Sequence, residues 1–304
     1  MAISSLPVRH AVVPSAGRGT RFLPITKSVP KEMLPVVDRP SIEYIVREAT
    51  NAGIDDMLLV TRSGKTAIED YFDEDTGLEQ ALANKPELLA MVQEYKHLAR
   101  MHTVRQGKPL GLGHAILQAR QHVGAHPFAV LLPDDLIHPH SVLLKQMIAV
   151  RHALGGSVVA LLKTTPEQAT AYASTRVEPL PVPRGVNVSE GCLFRITEVV
   201  EKPPLEGVLS QYAVIGRFVF DPAIFNALAH TPRGYHNEYQ LTDGYAQLID
   251  TPVEDGGGLY GVVLEDQRFD TGDKLGYLMA NVALALEDLE LGPQIRPMIQ
   301  ALLD

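Results

Sequence analysis

The chain has 304 residues, 45% hydrophobic and 21% charged, with 27 Lys plus Arg against 36 Asp plus Glu and a formal net charge of −9. This composition excludes a disordered chain; the acidic balance argues against nucleic acid as a partner, where a basic surface supplies most of the affinity, and taken alone argues against any anionic ligand. Nothing approaches the roughly 18 consecutive apolar residues of a membrane span, the N-terminus has no signal-peptide core, and the lone Cys192 forms no internal disulfide, so a cytoplasmic protein without a membrane partner is expected.

Residues 10–14 (HAVVP) are a short β-branched run that leads into a turn, SAGRGT. Residues 41–51 carry Ile42, Ile45, Val46 and Ala49 at i, i+3, i+4, i+7, the stripe of an amphipathic helix, with Pro40 before it and Gly53 after it. Residues 57–61 predict a strand and 67–72 a helix. Residues 78–99 predict a helical stretch that Pro86 interrupts or restarts. A strand at 101–106, a helix at 112–123, an apolar strand at 128–133 (FAVLLP), a helix at 142–153 and a strand at 157–162 follow. This βαβα alternation with apolar strands favours a mostly parallel sheet with helices on both faces.

After about residue 163 the pattern changes. Residues 178–188 are rich in Pro and Gly and read as a loop or hairpin excursion. Strands are predicted at 193–200, 212–220 and 259–264, and helices at 224–229 and 239–249. Residues 274–289 predict a long helix with Leu275, Leu278, Met279, Val282, Leu286 and Leu289 on one side. That helix, with Ile295, Met298 and Leu302 beyond it, is able to dock on another subunit or on its own domain. One α/β domain with a C-terminal helical extension fits best.

The first chemical feature is the segment SAGRGTRFLPITKSVPKEML, residues 15–34. Gly17 and Gly19 permit a sharp turn that brings backbone N–H groups to a phosphate. Arg21 and Lys31 add positive charge. The dinucleotide fingerprint fails because Phe22 stands where its third glycine belongs, and the Walker A pattern does not occur. Pro24, Pro30 and Pro35 forbid a regular helix after the turn, so a loop folded over a ligand is the better reading. On spacing alone, an ordinary βα turn with surface cations is an even alternative.

The stretch GxGTRFLPxTKxxPKEMLPVVDRP, residues 17–40, closely resembles the signature of bacterial UTP–glucose-1-phosphate uridylyltransferases, members of the sugar-1-phosphate nucleotidylyltransferases. RQGKPLGLGHA (105–115), LLPDDLI (131–137), VVEKP (199–203), IGRFVF (215–220), QLTD (240–243) and RFDTGDKLGY (268–277) follow in the family's order and spacing. The resemblance covers nearly the whole chain. It implies a Rossmann-like, glycosyltransferase-A-like nucleotidyltransferase fold with a mostly parallel or mixed sheet. It further implies a nucleotide-binding half (1–163), a sugar-phosphate half (164–272) and C-terminal helices (273–304) within one domain.

The implied reaction is attack of a glucose 1-phosphate oxygen on the α-phosphorus of UTP, giving UDP-glucose and pyrophosphate. No protein nucleophile is needed; catalysis is positioning plus charge stabilisation. By resemblance, Arg21 contacts the leaving phosphates and Lys31 the α-phosphate and the attacking phosphate. Ala16, Gly17, Gly19 and Thr20 belong to the loop over the nucleotide, with Ala16 and Gly17 contacting uracil through the backbone. Asp134 ends the most apolar strand, facing the crevice where open α/β sheets bind ligands. Asp270 follows another strand, and two such carboxylates are able to hold one Mg²⁺; the family uses the matching positions this way. Asp135 and Asp273 suit strand-end capping better.

Gln106 offers an amide that donates and accepts, as a pyrimidine edge requires, and Gly111 permits close backbone approach; by resemblance both read the base. Glu201 and Lys202 are implied for the sugar hydroxyls and the sugar phosphate, and Gly216 for the vicinity of the sugar. QLTD reads as a capped helix start with a structural role. The 11 histidines show no metal-ligand spacing. Two departures stand out: Ala173 replaces a glycine of the sugar pocket, where a methyl crowds the glucose or shifts the strand, and Arg18 replaces a common leucine. The same chemistry with dTTP or another sugar phosphate, or a catalytically weak regulatory relative, is the alternative, although Thr20 and Arg21 are both intact. A homodimer or homotetramer is expected by resemblance.

Overall fold

The computed structural model describes residues 6–94 and 98–303; the part of the predicted 78–99 helix at 95–97 lies outside the described residues. β1 (His10–Pro14) leads through short 3₁₀ turns to the two-residue strands β2 (Pro35–Val36) and β3 (Arg39–Pro40), then α1 (Ser41–Asn51) and β4 (Asp56–Thr61). Next come α2 (Thr66–Phe72), α3 (Thr76–Ala81), α4 (Pro86–Glu94), β5 (Arg100–Arg105), α5 (Leu112–Leu117), α6 (Arg120–Val123), β6 (Phe128–Leu131), β7 (Asp135–Ile137), α7 (Leu143–Leu154) and β8 (Ser157–Lys163). α8 (Pro166–Ala169), β9 (Ala173–Pro179), β10 (Leu193–Glu201), β11 (Tyr212–Phe220), α9 (Ala223–His230), α10 (Leu241–Ala246), β12 (Leu259–Val263), β13 (Arg268–Asp270), α11 (Lys274–Glu287) and α12 (Gly292–Leu303) complete the chain.

Among the described residues, nine strands form one mixed sheet in the order β5-β4-β1-β6-β11-β8-β12-β10-β9. β1 runs parallel to β4 on one side and to β6 on the other. The strand order therefore reverses at β1, and a crevice opens between the loops that leave β1 and β6, where open α/β sheets take ligands. β11 runs antiparallel between β6 and β8, which ties the second half of the chain into the first. β9 and β10 form an antiparallel pair, and β9 also pairs antiparallel with β11.

The strands form because alternate residues serve two cores. Ala11, Val13, Met57 and Leu59 pack on one face, and Val12, Leu58 and Val60 on the other. Strands buried on both faces read as continuous apolar runs, which is why β4 and β6 are visible in the sequence. α1 begins and ends at the predicted residues, burying Ile42, Ile45, Val46 and Ala49.

Several expectations change. Of the two outcomes expected at Pro86, the structure shows the restart: it begins a helix of its own, the site where its missing N–H costs nothing. The 112–123 helix is two pieces, α5 and α6, and the 239–249 helix shortens to α10. The excursion at 178–188 begins inside β9, an unpredicted strand. The predicted stripe on the long helix is not its buried face. Leu275 is 71% and Leu289 93% exposed, and Leu278, Met279 and Val282 are exposed too. The buried face is Ala280, Leu284 and Ala285, with Ala280 and Leu284 packed with Val36, Leu136 and Phe269. Small residues let α11 lie close to β2, β7 and β13, leaving the larger apolar side chains outward. No helix among the described residues is long and apolar enough to cross a membrane.

Candidate active site

The loop after β1 is anchored from below by a buried ion pair. Lys65 Nζ donates to both Glu32 carboxylate oxygens (2.8 and 2.7 Å) and to the Ser15 carbonyl (2.6 Å). Lys65 and Glu32 are almost fully buried, so each depends on the other for its charge. The pair ties the beginning of the loop to residue 32 and so fixes the neighbouring Lys31. Gly19 takes φ 64° at the start of the 3₁₀ turn Thr20–Phe22, and Thr26 Oγ1 donates to its carbonyl (2.7 Å). Gly17 has no such conformation. A Cβ there would meet only Lys31 Cε, at 4.0 Å, so Gly17 keeps space open beside Lys31 instead of making the sharp turn expected of it.

Two cavities meet beneath this loop. One, of about 290 Å³, is lined by Ala16, Gly17, Lys31, Gln106 and Gly111. The other, of about 310 Å³, is lined by Arg21, Ala173, Glu201, Lys202, Gly216 and Asp270. Leu112, Leu132 and Asp134 belong to both, so Asp134 stands at the junction. Gly19 and Thr20 shape the loop but line neither cavity. A larger cavity of about 410 Å³ between α1 and α11 contains none of the predicted site residues.

At the junction, Lys31 Nζ lies 2.5 Å from Asp134 Oδ2. Burial by itself would raise the pKa of Asp134; the charge and hydrogen bond of Lys31 outweigh it and hold the group below the usual carboxylate range. Asp270 goes the other way. Burial pushes it up and the nearby Asp134 and Asp135 add to this, against the Gly272 amide (2.9 Å) and Arg268. A Cβ on Gly272 would lie 2.9 Å from Asp270 Oδ1, 3.0 Å from Asp134 Oδ2 and 3.4 Å from Arg21 Nη1. Two carboxylates and a guanidinium therefore face one small space that only a glycine leaves open. Arg21 Nη1 also donates to the Gly272 carbonyl (3.4 Å). Hard oxygen donors of this kind suit a hard divalent cation.

The cavity of Glu201 and Lys202 contains residues the sequence reading missed or undervalued. Thr242 of QLTD does not simply support a helix start: its Oγ1 donates to Glu201 Oε2 (2.5 Å) and it lines the cavity, while Gln240 is the N-cap residue of α10 and its side chain makes no capping hydrogen bond. Asp273 does cap α11, accepting from Gly276 N (2.9 Å). Asp135 does more than cap a strand. It accepts from Gly216 N (2.6 Å) and from Arg268 Nε, and Arg268 reaches Tyr172 through Nη1 (3.1 Å) and over its ring (5.2 Å). Asp135 and Arg268 both stood in the matched blocks; what the sequence lacked was the antiparallel pairing of β7 with β13 that joins them. Lys202 holds φ 41°, a left-handed backbone that costs a lysine about 1–3 kcal/mol. Its Nζ is 3.9 Å from Glu201 Oε1.

Ala173 pairs with Glu201 on one side and Val214 on the other. Its methyl is buried in the apolar cluster at the cavity floor, and both pairings are regular at Ala173, the register shift of β9 with β10 lying between Ile196 and Glu198. In the other cavity, Gln106 Nε2 donates to the Gly111 carbonyl (3.0 Å) and lies 3.2 Å from His114 Nδ1. A Cβ on Gly111 would come within 2.8 Å of the Tyr239 carbonyl, so glycine here serves close packing as well as its φ of 103°. Arg18 joins Arg62, Arg105 and Lys108 in a basic cavity beside Gln106. The histidines, without metal-ligand spacing along the chain, are not scattered in space: His10 and His122 converge on Asp56, away from this crevice.

The family model described as "Nucleotidyl transferase" matches residues 10–287. A UTP–glucose-1-phosphate uridylyltransferase of Bacillus subtilis is 40% identical over 98% of this chain and 98% of its own length. A solved structure of UTP-bound UGPase from Acinetobacter baumannii is 39% identical, with a TM-score of 0.85 over 96% of this chain and 99% of that one. A UDP-glucose pyrophosphorylase solved in complex with UDP-glucose is 37% identical, with a TM-score of 0.79 over 92% of this chain and 100% of that one. The chain belongs to the nucleotidyl transferase family, and along nearly its whole length it is similar to UTP–glucose-1-phosphate uridylyltransferases.

Proposed function

We propose that this protein transfers the uridylyl group of UTP to glucose 1-phosphate, forming UDP-glucose and releasing pyrophosphate. The observation that carries this reading is the junction itself: Lys31, Asp134, Asp270 and Arg21 gather where two cavities meet. A transfer between two phosphates needs such a meeting point, with fixed charge and no protein nucleophile.

The cavity of Gln106 and Gly111 takes the uracil, with Ala16 and Gly17 presenting backbone to it. Gly19 and Thr20 hold the loop over the triphosphate. The cavity of Glu201 and Lys202 takes the sugar phosphate, with Gly216 and Ala173 forming its wall and floor. Glu201, oriented by Thr242, accepts hydrogen bonds from sugar hydroxyls, and Lys202 meets the phosphate. An oxygen of that phosphate attacks the α-phosphorus of UTP. The new P–O bond forms as the bond to the β-phosphate breaks, and pyrophosphate leaves with the electron pair. Lys31 steadies the two phosphates that approach each other, and Arg21 neutralises the leaving one.

Asp134 and Asp270 would hold Mg²⁺, the cofactor this site fits best. When bound, the ion supplies positive charge to the phosphate oxygens. Lys31 keeps Asp134 ionised for that role. In this reading residues 1–163 serve the nucleotide and 164–272 the sugar phosphate, with 273–304 as helical extension, and the position of β11 between β6 and β8 supports taking them as parts of one domain. A homodimer or homotetramer is supported by the exposed Leu275, Leu278, Met279 and Val282 on α11. A cytoplasmic location accords with a free Cys192. Phosphorus NMR of a mixture of UTP, glucose 1-phosphate, Mg²⁺ and protein tests the proposal: UDP-glucose and pyrophosphate signals must grow together, and their absence rejects it.

A further inference from the structure

At the opposite end of the sheet, His10 opens β1 and Asp56 opens β4, and the two are direct partners in the parallel ladder. β1 rises about 3.3 Å per residue, so His10 lies on the order of 13 Å from the end of the strand that feeds the phosphate loop. His122, on α6, reaches the same place. Its Nε2 is 2.6 Å from Asp56 Oδ1, and His10 Nδ1 is 3.3 Å from that same oxygen. All three candidate ligand atoms lie within 4.8 Å of one another. His102 Nε2 is 3.6 Å from Asp56 Oδ2, with its ring 4.6 Å from that of His122.

One detail separates this cluster from an ordinary hydrogen-bonded network. His10 Nδ1 is buried and lies 3.3 Å from Asp56 Oδ1, but it is not aimed at that oxygen well enough to make an aligned hydrogen bond. An imidazole that hydrogen-bonds to a carboxylate aims its nitrogen at the oxygen. Two ligands of one metal ion each aim at the ion instead of at each other. Ligands at 2.0–2.2 Å around a tetrahedral ion sit roughly 3.3 Å apart, the separation seen between His10 Nδ1 and Asp56 Oδ1.

We propose that His10, Asp56 and His122 form a binding site for a divalent transition-metal ion of the Zn²⁺ class, with water as the remaining ligand. Imidazole-rich ligation selects Zn²⁺, Co²⁺ or Ni²⁺ over Mg²⁺, which prefers oxygen. The site is thus chemically distinct from the Asp134–Asp270 pair. Arg100 Nη2 sits 3.9 Å from Asp56 Oδ2 and leaves Oδ1 to the ion. Loading opens the 2.6 Å contact between His122 Nε2 and Asp56 Oδ1, so that both atoms turn to the ion. An ion here ties β1, β4 and α6 together and stabilises the fold by binding only the native state.

The test uses chelator-stripped full-length protein carrying Asp134→Asn, which removes the crevice carboxylate as a competing site. Titration with Co²⁺ should give one ion per chain with the intense visible absorption of tetrahedral nitrogen–oxygen ligation. Zn²⁺ should displace it and raise Tm, whereas Mg²⁺ should not. Adding His10→Gln and His122→Gln should weaken binding by more than ~100-fold, beyond the cost of losing an outer hydrogen-bond partner of a ligand. In an otherwise wild-type chain, the two His→Gln changes should leave Mg²⁺-dependent turnover unchanged. X-ray absorption of the Zn²⁺-loaded protein with both histidines present reads the ligands directly, even if the His variants do not fold. Scattering from two or more imidazoles is expected. Co²⁺ binding that survives both His substitutions, the absence of binding, or an all-oxygen shell would overturn the proposal.

Discussion

Lys31 Nζ and Asp134 Oδ2 stand 2.5 Å apart, although 103 residues separate them in sequence. The contact joins the loop after β1 to the strand end after β6, the two sides of the crevice. Lys31→Ala removes the cation from both the phosphates and Asp134. Turnover should fall by on the order of 10²–10³, the usual cost of losing one charge-stabilising group. Tm should fall at neutral pH, because Asp134 loses the ammonium that offsets its burial and holds its pKa down. Steady-state rates beside a thermal melt check both halves, and a wild-type rate rejects the phosphate role.

Asp134 also gives a signed pH effect. Its folded pKa is held down, so its contribution to stability is present above the unfolded carboxylate value and is lost as pH falls through the depressed one. Asp270 has the opposite sign. Its folded pKa is raised, so it costs stability as pH rises from the unfolded value through the raised one, and the full cost is present above it. Asp270→Asn should therefore raise Tm at neutral pH in metal-free buffer while removing most turnover, a gain in stability at the expense of function. Melts with chelator, paired with rates, measure this; an unchanged or lowered Tm contradicts the assignment.

Gly272→Ala places a methyl within 3.0 Å of both crevice carboxylates. The Mg²⁺ concentration for half-maximal activity should rise by roughly tenfold or more, a loss of at least ~1.4 kcal/mol in ion affinity. A Mg²⁺ titration of the initial rate reads it, and an unshifted curve places the metal elsewhere.

Thr242→Val keeps the side-chain shape and removes the hydrogen bond to Glu201. A hydrogen bond to a charged group contributes about 1.5–3 kcal/mol. The KM for glucose 1-phosphate should rise about tenfold or more, with the KM for UTP nearly unchanged. Equal effects on both substrates would show that Thr242 supports the fold and not the sugar pocket.

Lys65→Met leaves Glu32 as an uncompensated buried charge beneath the loop. Breaking such a pair costs about 3–5 kcal/mol. A denaturant melt should show a loss of that size, and one below ~1 kcal/mol would mean that the pair is not what secures the loop.

Much of this arrangement was readable from the chain because burial leaves a pattern. α1 was placed correctly because Ile42, Ile45, Val46 and Ala49 repeat at helical spacing between Pro40 and Gly53. β6 was visible because it is buried on both faces. The residues around the junction were named from ordered blocks, and the structure brings Lys31, Asp134, Arg21 and Asp270 together. The rest depended on pairings without a periodic signature. β7 and β13 are three residues each, too short to show alternation, so the Asp135–Arg268 contact stayed hidden. The histidine cluster comes from two strands and a helix, and no spacing along the chain announces it. The stripe on α11 misled because periodicity reports an apolar face, not whether the same chain covers it.

Net charge was the coarsest of these guides. The chain carries −9, yet Lys31, Arg21 and Lys202 line the crevice. A site's local field follows the groups that face it, not the sum over the surface.

The measurement that tests the central claim most directly is pyrophosphate release with Mg²⁺ across UTP, dTTP, ATP and GTP, each paired with several sugar 1-phosphates. The account predicts the highest kcat/KM for UTP with glucose 1-phosphate and little turnover of the purine nucleotides. Nucleotide binding without turnover in any pair would contradict it.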